Sequence, residues 1–356
     1  PWTVRFEAKD ILALSGKTYK LTIQNWTVLN TNTNTNNNIN INGHAMNVMN
    51  DGNELYITNG VITVSFDTTT GLMRNIKRKI NNNDNNGNND EDISVDVSND
   101  LSYYKSYGSP GHFGFKHSSQ TPDERDPHLQ NIQPSDILAD PEFSTQPSGA
   151  YLFRPKDGNE IPTCITNEKT LTDPSESCDR KKNPIHLSVI KKNNFAEVRQ
   201  VFSDWAMQTI RLYKDDLTVE MEWTVGPVPV DDGMGKEIMS KFITNVDSGP
   251  ESRNSVYTDS NGREFQHRVL NYRPTWDLQV HEPVAGNFYP ITTAMYIKGN
   301  TNTNTNTNSN TNSKKTAAQL SVIVDRAQAG ASLRSGEMEL MVHRRLLADD
   351  YRGVDE

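Results

Sequence analysis

Between its polar tracts, this chain repeats apolar residues at every second position, and almost nowhere at the three-and-four spacing of a helix. Successive side chains of a strand point to opposite faces, so a chain patterned this way buries its apolar set by building sheets. Val61-Ile62-Thr63-Val64-Ser65-Phe66 alternates, Thr68-Thr69-Thr70-Gly71 turns the chain, and Leu72 to Ile76 returns, which predicts a hairpin. A meander is predicted over His186 to Ile190, Phe195 to Phe202, Met207 to Tyr213 and Leu217 to Val225. Its runs are β-branched and aromatic, and its breaks carry Asn193-Asn194 and Lys214-Asp215-Asp216. Gly226-Pro227-Val228-Pro229 ends the last run, since proline cannot donate to an interior ladder. Lys236 to Ile243, Leu320 to Asp325 and Glu337 to His343 are further strand candidates. Strands recurring with turn signals and almost no helical run predict an all-β, antiparallel sandwich.

Three low-complexity tracts interrupt this pattern, at Thr31 to Asn42, Asn81 to Asp92 and Asn300 to Ser313. They bury nothing that would offset the entropy of ordering them, so each is expected as a solvated loop between two elements. Their asparagines dilute the hydrophobic fraction to 34%, below the roughly 45–50% of an average globular chain, a benchmark that also counts glycine. The segment Trp2 to Ile23 alternates too and ends at the first tract. It reads as the end of a small β domain over residues 1–30, followed by an Asn/Thr-rich linker over 31–52. A larger domain then runs over 53–356, with insertions at 81–92 and 300–313. The chain begins at Pro1 and its last residues run off a motif, so a piece of a longer protein is expected, with any targeting signal outside it. A formal charge of −9 argues against nucleic acid or an anionic membrane surface as the main partner. No stretch approaches the ~18–20 apolar residues of a membrane span.

Motif searching is mostly negative. The chain carries no G-x-G-x-x-G, P-loop, G-x-S-x-G or H-E-x-x-H. His112 and His117 flank Phe113 to Lys116 and His343 ends a strand candidate, each reading as an ordinary surface or packed histidine. The acidic pairs Asp215-Asp216, Asp231-Asp232 and Asp349-Asp350 read first as turns, although paired carboxylates are also glycosidase machinery. Cys164 and Cys178 share one polar loop, and neither falls in a predicted strand. A disulfide and two free thiols both remain open; the shared polar loop favours the bridge, and the wide spacing disfavours zinc. Asn25-Trp26-Thr27 is a glycosylation sequon, with Asn25 as acceptor.

Longer segments are more specific. Ser148-Gly149-Ala150-Tyr151-Leu152-Phe153-Arg154-Pro155 comes first, then Tyr257-Thr258-Asp259-Ser260-Asn261-Gly262-Arg263-Glu264. Tyr272-Arg273-Pro274-Thr275-Trp276 and Glu282 to Pro290 follow, and the chain closes on Glu339 to Val354. In this order and spacing, the chain from about Glu54 to Glu356 resembles the C-terminal half of the lysosomal α-mannosidases, glycoside hydrolase family 38. Phe6-Glu7-Ala8 and Leu12-Ala13-Leu14 look like the small β domain that precedes it in those enzymes.

The resemblance implies a large β-supersandwich like that of galactose mutarotase, packed against an N-terminal catalytic barrel. It also implies a zinc-dependent retaining enzyme that removes α-linked mannose from N-glycan oligosaccharides in an acidic, lysosomal or secretory compartment. The family's zinc ligands and nucleophile lie in the barrel, and its H-x-D motif is absent from this chain. No catalytic or metal residue is therefore carried over, and the fragment alone is expected to be inactive. Two residues map onto the sugar pocket. Tyr151, in the S-G-A-Y-L-F motif, would bring a hydroxyl to the bound mannose, its alternative being a strand tyrosine in the core. Arg352, in D-D-x-R-G, would reach a sugar oxygen or the catalytic carboxylates, its alternative being an ion pair with Asp349 or Asp350. Asp259, Asn261 and Gly262 are expected to form a turn at the domain interface. The other function class is a β-sandwich that binds carbohydrate without cleaving it, using Trp26, Trp205, Trp223 or Trp276.

Overall fold

The computed structural model describes residues 46–80, 91–106, 148–155, 161–167, 178–299 and 318–347. The strands in chain order are β1 (Asn47–Asn50), β2 (Glu54–Thr58), β3 (Ile62–Asp67), β4 (Met73–Ile80), β5 (Glu91–Ser106) and β6 (Thr163–Cys164). They continue as β7 (His186–Lys191), β8 (Phe195–Ser203), β9 (Ala206–Tyr213), β10 (Val219–Val225), β11 (Gly235–Thr244) and β12 (Ser255–Ser260). The last are β13 (Glu264–Val269), β14 (Tyr289–Ile291), β15 (Ala294–Lys298), β16 (Gln319–Ile323), β17 (Gln328–Ala331) and β18 (Glu337–Arg345). A ten-stranded sheet runs β1-β2-β3-β4-β5-β11-β18-β17-β14, with β6 beside β5. Two four-stranded sheets have the orders β10-β9-β8-β7 and β13-β12-β15-β16. Every pairing is antiparallel, so the fold is all-β as the alternation implies.

The predicted hairpin is β3–β4. Its turn forms because the Asp67 carboxylate accepts the N–H groups of Thr69 at 2.8 Å and Thr70 at 2.9 Å. Gly71 then supplies a φ of +75°. The predicted meander is β7 to β10, and it closes a sheet of its own because each strand is long enough to pair fully with the next. The three sheets share one core. Ile57, Val64 and Phe66 of the large sheet meet Val198, Ile210 and Leu212 of the second and Met295 and Ile297 of the third.

The centre of the large sheet departs from simple alternation. β11 is buried at seven of its first eight positions, Lys236, Glu237 and Ser240 included. Both of its faces are covered, so its polar side chains bond inside the protein. Asn99 Nδ2 donates to Ser240 Oγ at 3.0 Å, Gln208 Nε2 donates to Asn99 Oδ1 at 2.9 Å and Gln200 Nε2 donates to the Gly71 carbonyl at 2.7 Å. This polar seam ties β5 and β11 to the second sheet and to the β3–β4 turn.

Two boundaries move. β1 lies inside the linker expected over 31–52, because its residues pair in register with β2, Asn47 opposite Thr58 and Asn50 opposite Leu55. β5 starts at Glu91, opposite Ile80, so pairing with β4 claims the last residues of the 81–92 insertion. The expected small β domain over 1–30 and the insertion at 300–313 lie outside the described residues. Cys164, expected in a loop, sits on β6 opposite Ser102 and is buried. It forms a disulfide with Cys178, their Cα atoms 5.0 Å apart. Beyond the bridge, the Arg180 guanidinium donates to Asp100 at 2.9 Å and to the Ile165 carbonyl at 3.0 Å.

Candidate functional site

Three neighbouring strands of the large sheet set the frame of the site. Register places Tyr104 of β5 opposite Glu237 of β11, and Glu237 opposite Arg344 of β18. Glu237 is fully buried. Burial pushes its carboxyl up to about 7, against the opposing pull of the Arg344 charge and its hydrogen bond and of the Ser148 hydroxyl. Arg344 Nε donates to Glu237 Oε1 at 2.8 Å, and its Nη2 donates to the same oxygen. That Nη2 also donates to the Leu152 carbonyl at 2.7 Å.

The loop over 148–155 is built on this pair. Ser148 is buried, its N–H donating to Ser106 Oγ at 3.3 Å. Its hydroxyl accepts the Arg154 N–H at 2.7 Å. The same hydroxyl lies within donating distance of Glu237 Oε2, at 3.1 Å, and of the Arg154 carbonyl, at 3.0 Å. The Gly149 N–H donates to the Leu152 carbonyl at 3.0 Å, closing a tight loop over Ala150 and Tyr151. The Phe153 ring stacks edge-on against Phe288 at 4.7 Å and Tyr104 at 5.7 Å. Arg154 pairs with Glu282 at 2.6 Å. Both ends of the loop are thus anchored, and its tip faces outward: Tyr151 is 67% exposed. The alternative of a strand tyrosine in the core does not hold.

Below the loop lies a second charged group. Lys241 reaches Glu337 at 2.7 Å and Glu339 at 3.4 Å, and the Tyr104 hydroxyl donates to Glu339 at 2.9 Å. Burial raises the Glu339 carboxyl despite the nearby Lys241 charge. On the third sheet, Asp259 Oδ1 accepts the N–H groups of Thr292 at 2.8 Å, Thr293 at 3.0 Å and Ala294 at 3.3 Å, while Oδ2 accepts that of Gly262 at 2.9 Å. Burial alone would raise this carboxyl, but the donors from Thr293, Gly262, Thr292 and Ala294 outweigh it and hold it at about 2. The turn expected at Asn261-Gly262 is present, with φ of +51° and +68°.

Of the expected site residues, Tyr151 is presented at the surface, while Arg352, Asp349, Asp350 and the sequon Asn25 lie outside the described residues. His112 and His117 lie outside them too, and His343 is exposed. Asp216 caps the turn before β10 by accepting the N–H groups of Leu217 and Thr218, and Asp232 pairs with Lys236 at 2.8 Å. Both acidic pairs are therefore turns. Trp205 and Trp223 pack against the core around Phe202 and Ile238, and Trp276 is exposed. Among the described residues, no three His, Cys, Asp or Glu side chains gather to hold a metal, so they do not fit a zinc site. No helix among them is long and apolar enough to cross a membrane. Arg344 and Ser148 lie in the motif segments, while Glu237 sits in a strand candidate with no local signal that its carboxyl is buried.

A profile of the glycosyl hydrolases family 38 C-terminal domain matches residues 57–352, the span that holds every element above except β1 and the start of β2. The chain belongs to glycosyl hydrolase family 38. It is 43% identical over 215 residues to a lysosomal α-mannosidase of Mus musculus, covering 60% of this chain and 18% of that protein. The Homo sapiens lysosomal α-mannosidase is 44% identical over 214 residues, covering 60% and 17%. An α-mannosidase of Canavalia ensiformis is 41% identical over 211 residues, covering 59% and 18%. The match thus spans less than a fifth of the length of these curated relatives. The matched span is a family 38 C-terminal domain.

Proposed function

We propose that this chain is the C-terminal part of a zinc-dependent, retaining α-mannosidase that removes terminal α-linked mannose from N-glycans in the lysosome or another acidic compartment of the secretory pathway. The observation that carries the reading is the motif loop over 148–155, which lies inside the family match and turns Tyr151 outward from a hydrogen-bonded base. A phenol held this way offers one donor and acceptor to a sugar hydroxyl and an apolar ring to pack against it. Its partner is then an N-terminal catalytic barrel of the same protein, which holds the zinc and the nucleophile. What zinc supplies when bound is charge stabilisation at the reacting sugar. This chain's own part is to close the pocket and fix a sugar hydroxyl through Tyr151, with Arg352 as a second contributor.

The test is hydrolysis of p-nitrophenyl α-mannoside near acid pH with added zinc, comparing this chain alone with a longer form that includes the upstream sequence. Activity is expected only in the longer form. Two silent forms, with mannoside binding retained by the shorter one, would replace this reading with a non-catalytic carbohydrate-binding sandwich. Trp205 and Trp223 pack against the core, which disfavours that outcome, and the exposed Trp276 is the candidate aromatic it would have to use.

A further inference from the structure

We infer that Glu237, Arg344 and Ser148 form a positioning frame that sets the geometry of the Tyr151 loop, so that their contribution to sugar recognition passes through Tyr151. The inference rests on the reading of Tyr151 as a sugar contact. It is carried by three observations. First, Glu237 and Arg344 face each other across β11 and β18, the central strands of the large sheet, where neither backbone can shift without breaking a ladder. Second, the frame bonds both flanks of the loop tip. Arg344 donates to the Leu152 carbonyl immediately after Tyr151, and Ser148, before the tip, faces Glu237 at 3.1 Å and accepts the Arg154 N–H, which closes the loop across its base. Third, Glu237 is shared between these two flanks, one carboxyl oxygen facing Arg344 and the other facing Ser148. The β11–β18 ladder is made by backbone pairing, not by these side chains; what they fix is the loop.

The frame also explains why a conformation with Tyr151 outward persists. Without it, the loop would keep the Gly149–Leu152 turn, the Ser148 N–H bond to Ser106, the Phe153 packing and the Arg154–Glu282 pair, but would lose the links from Ser148 and Leu152 to Glu237 and Arg344 on β11 and β18. The segment before the tip depends on Ser148. Glu237 does not touch the sugar in this scheme. Its side chain holds Ser148 and Arg344, and through them the tyrosine.

Two measurements test this. In this chain at pH 5, amide hydrogen exchange is followed over 149–154 and over β7–β10. Glu237→Ala and Ser148→Ala should each loosen the loop by at least about tenfold while leaving the β7–β10 sheet protected. Glu237→Gln, which keeps an acceptor for Arg344 and a polar group for Ser148, should restore protection. Ser148→Ala is the variant to rely on where Glu237→Ala folds poorly. An unchanged loop in Ser148→Ala overturns the inference.

The second measurement is a double-mutant cycle in the longer, active form. Ser148→Ala should lower kcat/KM by roughly ten- to a hundredfold, as misplacement of a binding group by about an ångström does. In a Tyr151→Phe background the same change should cost almost nothing. Additive losses overturn the inference and leave the reading of Tyr151 intact. An active enzyme in which Tyr151→Phe is silent overturns that reading, and this inference with it, whatever the exchange shows.

Discussion

Removing the Asp259 carboxylate should cost this domain several kilocalories per mole without touching any apolar contact. Asp259 is 4% exposed and accepts four backbone N–H groups, three from the turn between β14 and β15 and one from the turn between β12 and β13. Asp259→Ala strands all four donors. A hydrogen bond to a charged acceptor is worth about 1.5–3 kcal/mol net, and a buried donor left alone costs about 1–3 kcal/mol. Four donors on one acceptor are not additive, and the turns can admit water to some of them. A loss of about 3–5 kcal/mol is therefore expected. Asp259→Asn keeps one oxygen for Thr292, Thr293 and Ala294 but turns either an amide or a weaker acceptor toward Gly262, so about 2 kcal/mol is expected. For a domain of this size 1 kcal/mol moves Tm by about 2–4 °C, so thermal unfolding at pH 6 should show drops near 10 °C and 5 °C. The pH dependence has a definite sign. A carboxyl held at about 2 stabilises the fold above its unfolded value near 3.8 and loses that contribution as pH falls toward 2. The gap between wild type and Asp259→Asn should stay constant from pH 7 to 5 and narrow only below about pH 4. Alanine and asparagine variants both melting within 1 °C of wild type would refute the argument that this carboxylate staples the two turns.

The buried Glu237 gives the opposite pH behaviour. Its folded value near 7 lies above the ordinary 4.5, so its contribution is fully present below about pH 4.5 and is lost as pH rises through 7. That amounts to as much as about 3 kcal/mol between pH 5 and 8; a Tm that falls equally steeply in Glu237→Gln would dismiss it as the source. Gly71→Ala should cost about 2–5 kcal/mol, because φ is +75° there and a Cβ would sit 2.1 Å from the Ile185 carbonyl oxygen. An alanine variant with an unchanged denaturant midpoint would show that this turn relaxes freely.

The amino-acid sequence by itself determined the fold class, the β3–β4 hairpin and the β7–β10 sheet, because each is made of neighbouring runs joined by short turns with the right residues. It also carried the family, through motifs whose order survives the Asn-rich insertions. It did not reveal β5, the longest strand, whose core-facing row includes Asn99 as well as Val95, Val97 and Leu101. Nor did it reveal that Lys236 and Glu237 would be inside. A charged residue at an alternate position reads as solvent-facing, and only the arrival of distant elements over both faces of β11 makes it otherwise. The outward turn of Tyr151 belongs to the same class of fact. It depends on bonds spanning 89 and 192 residues, from Ser148 to Glu237 and from Leu152 to Arg344, and no local pattern encodes a partner that far along the chain.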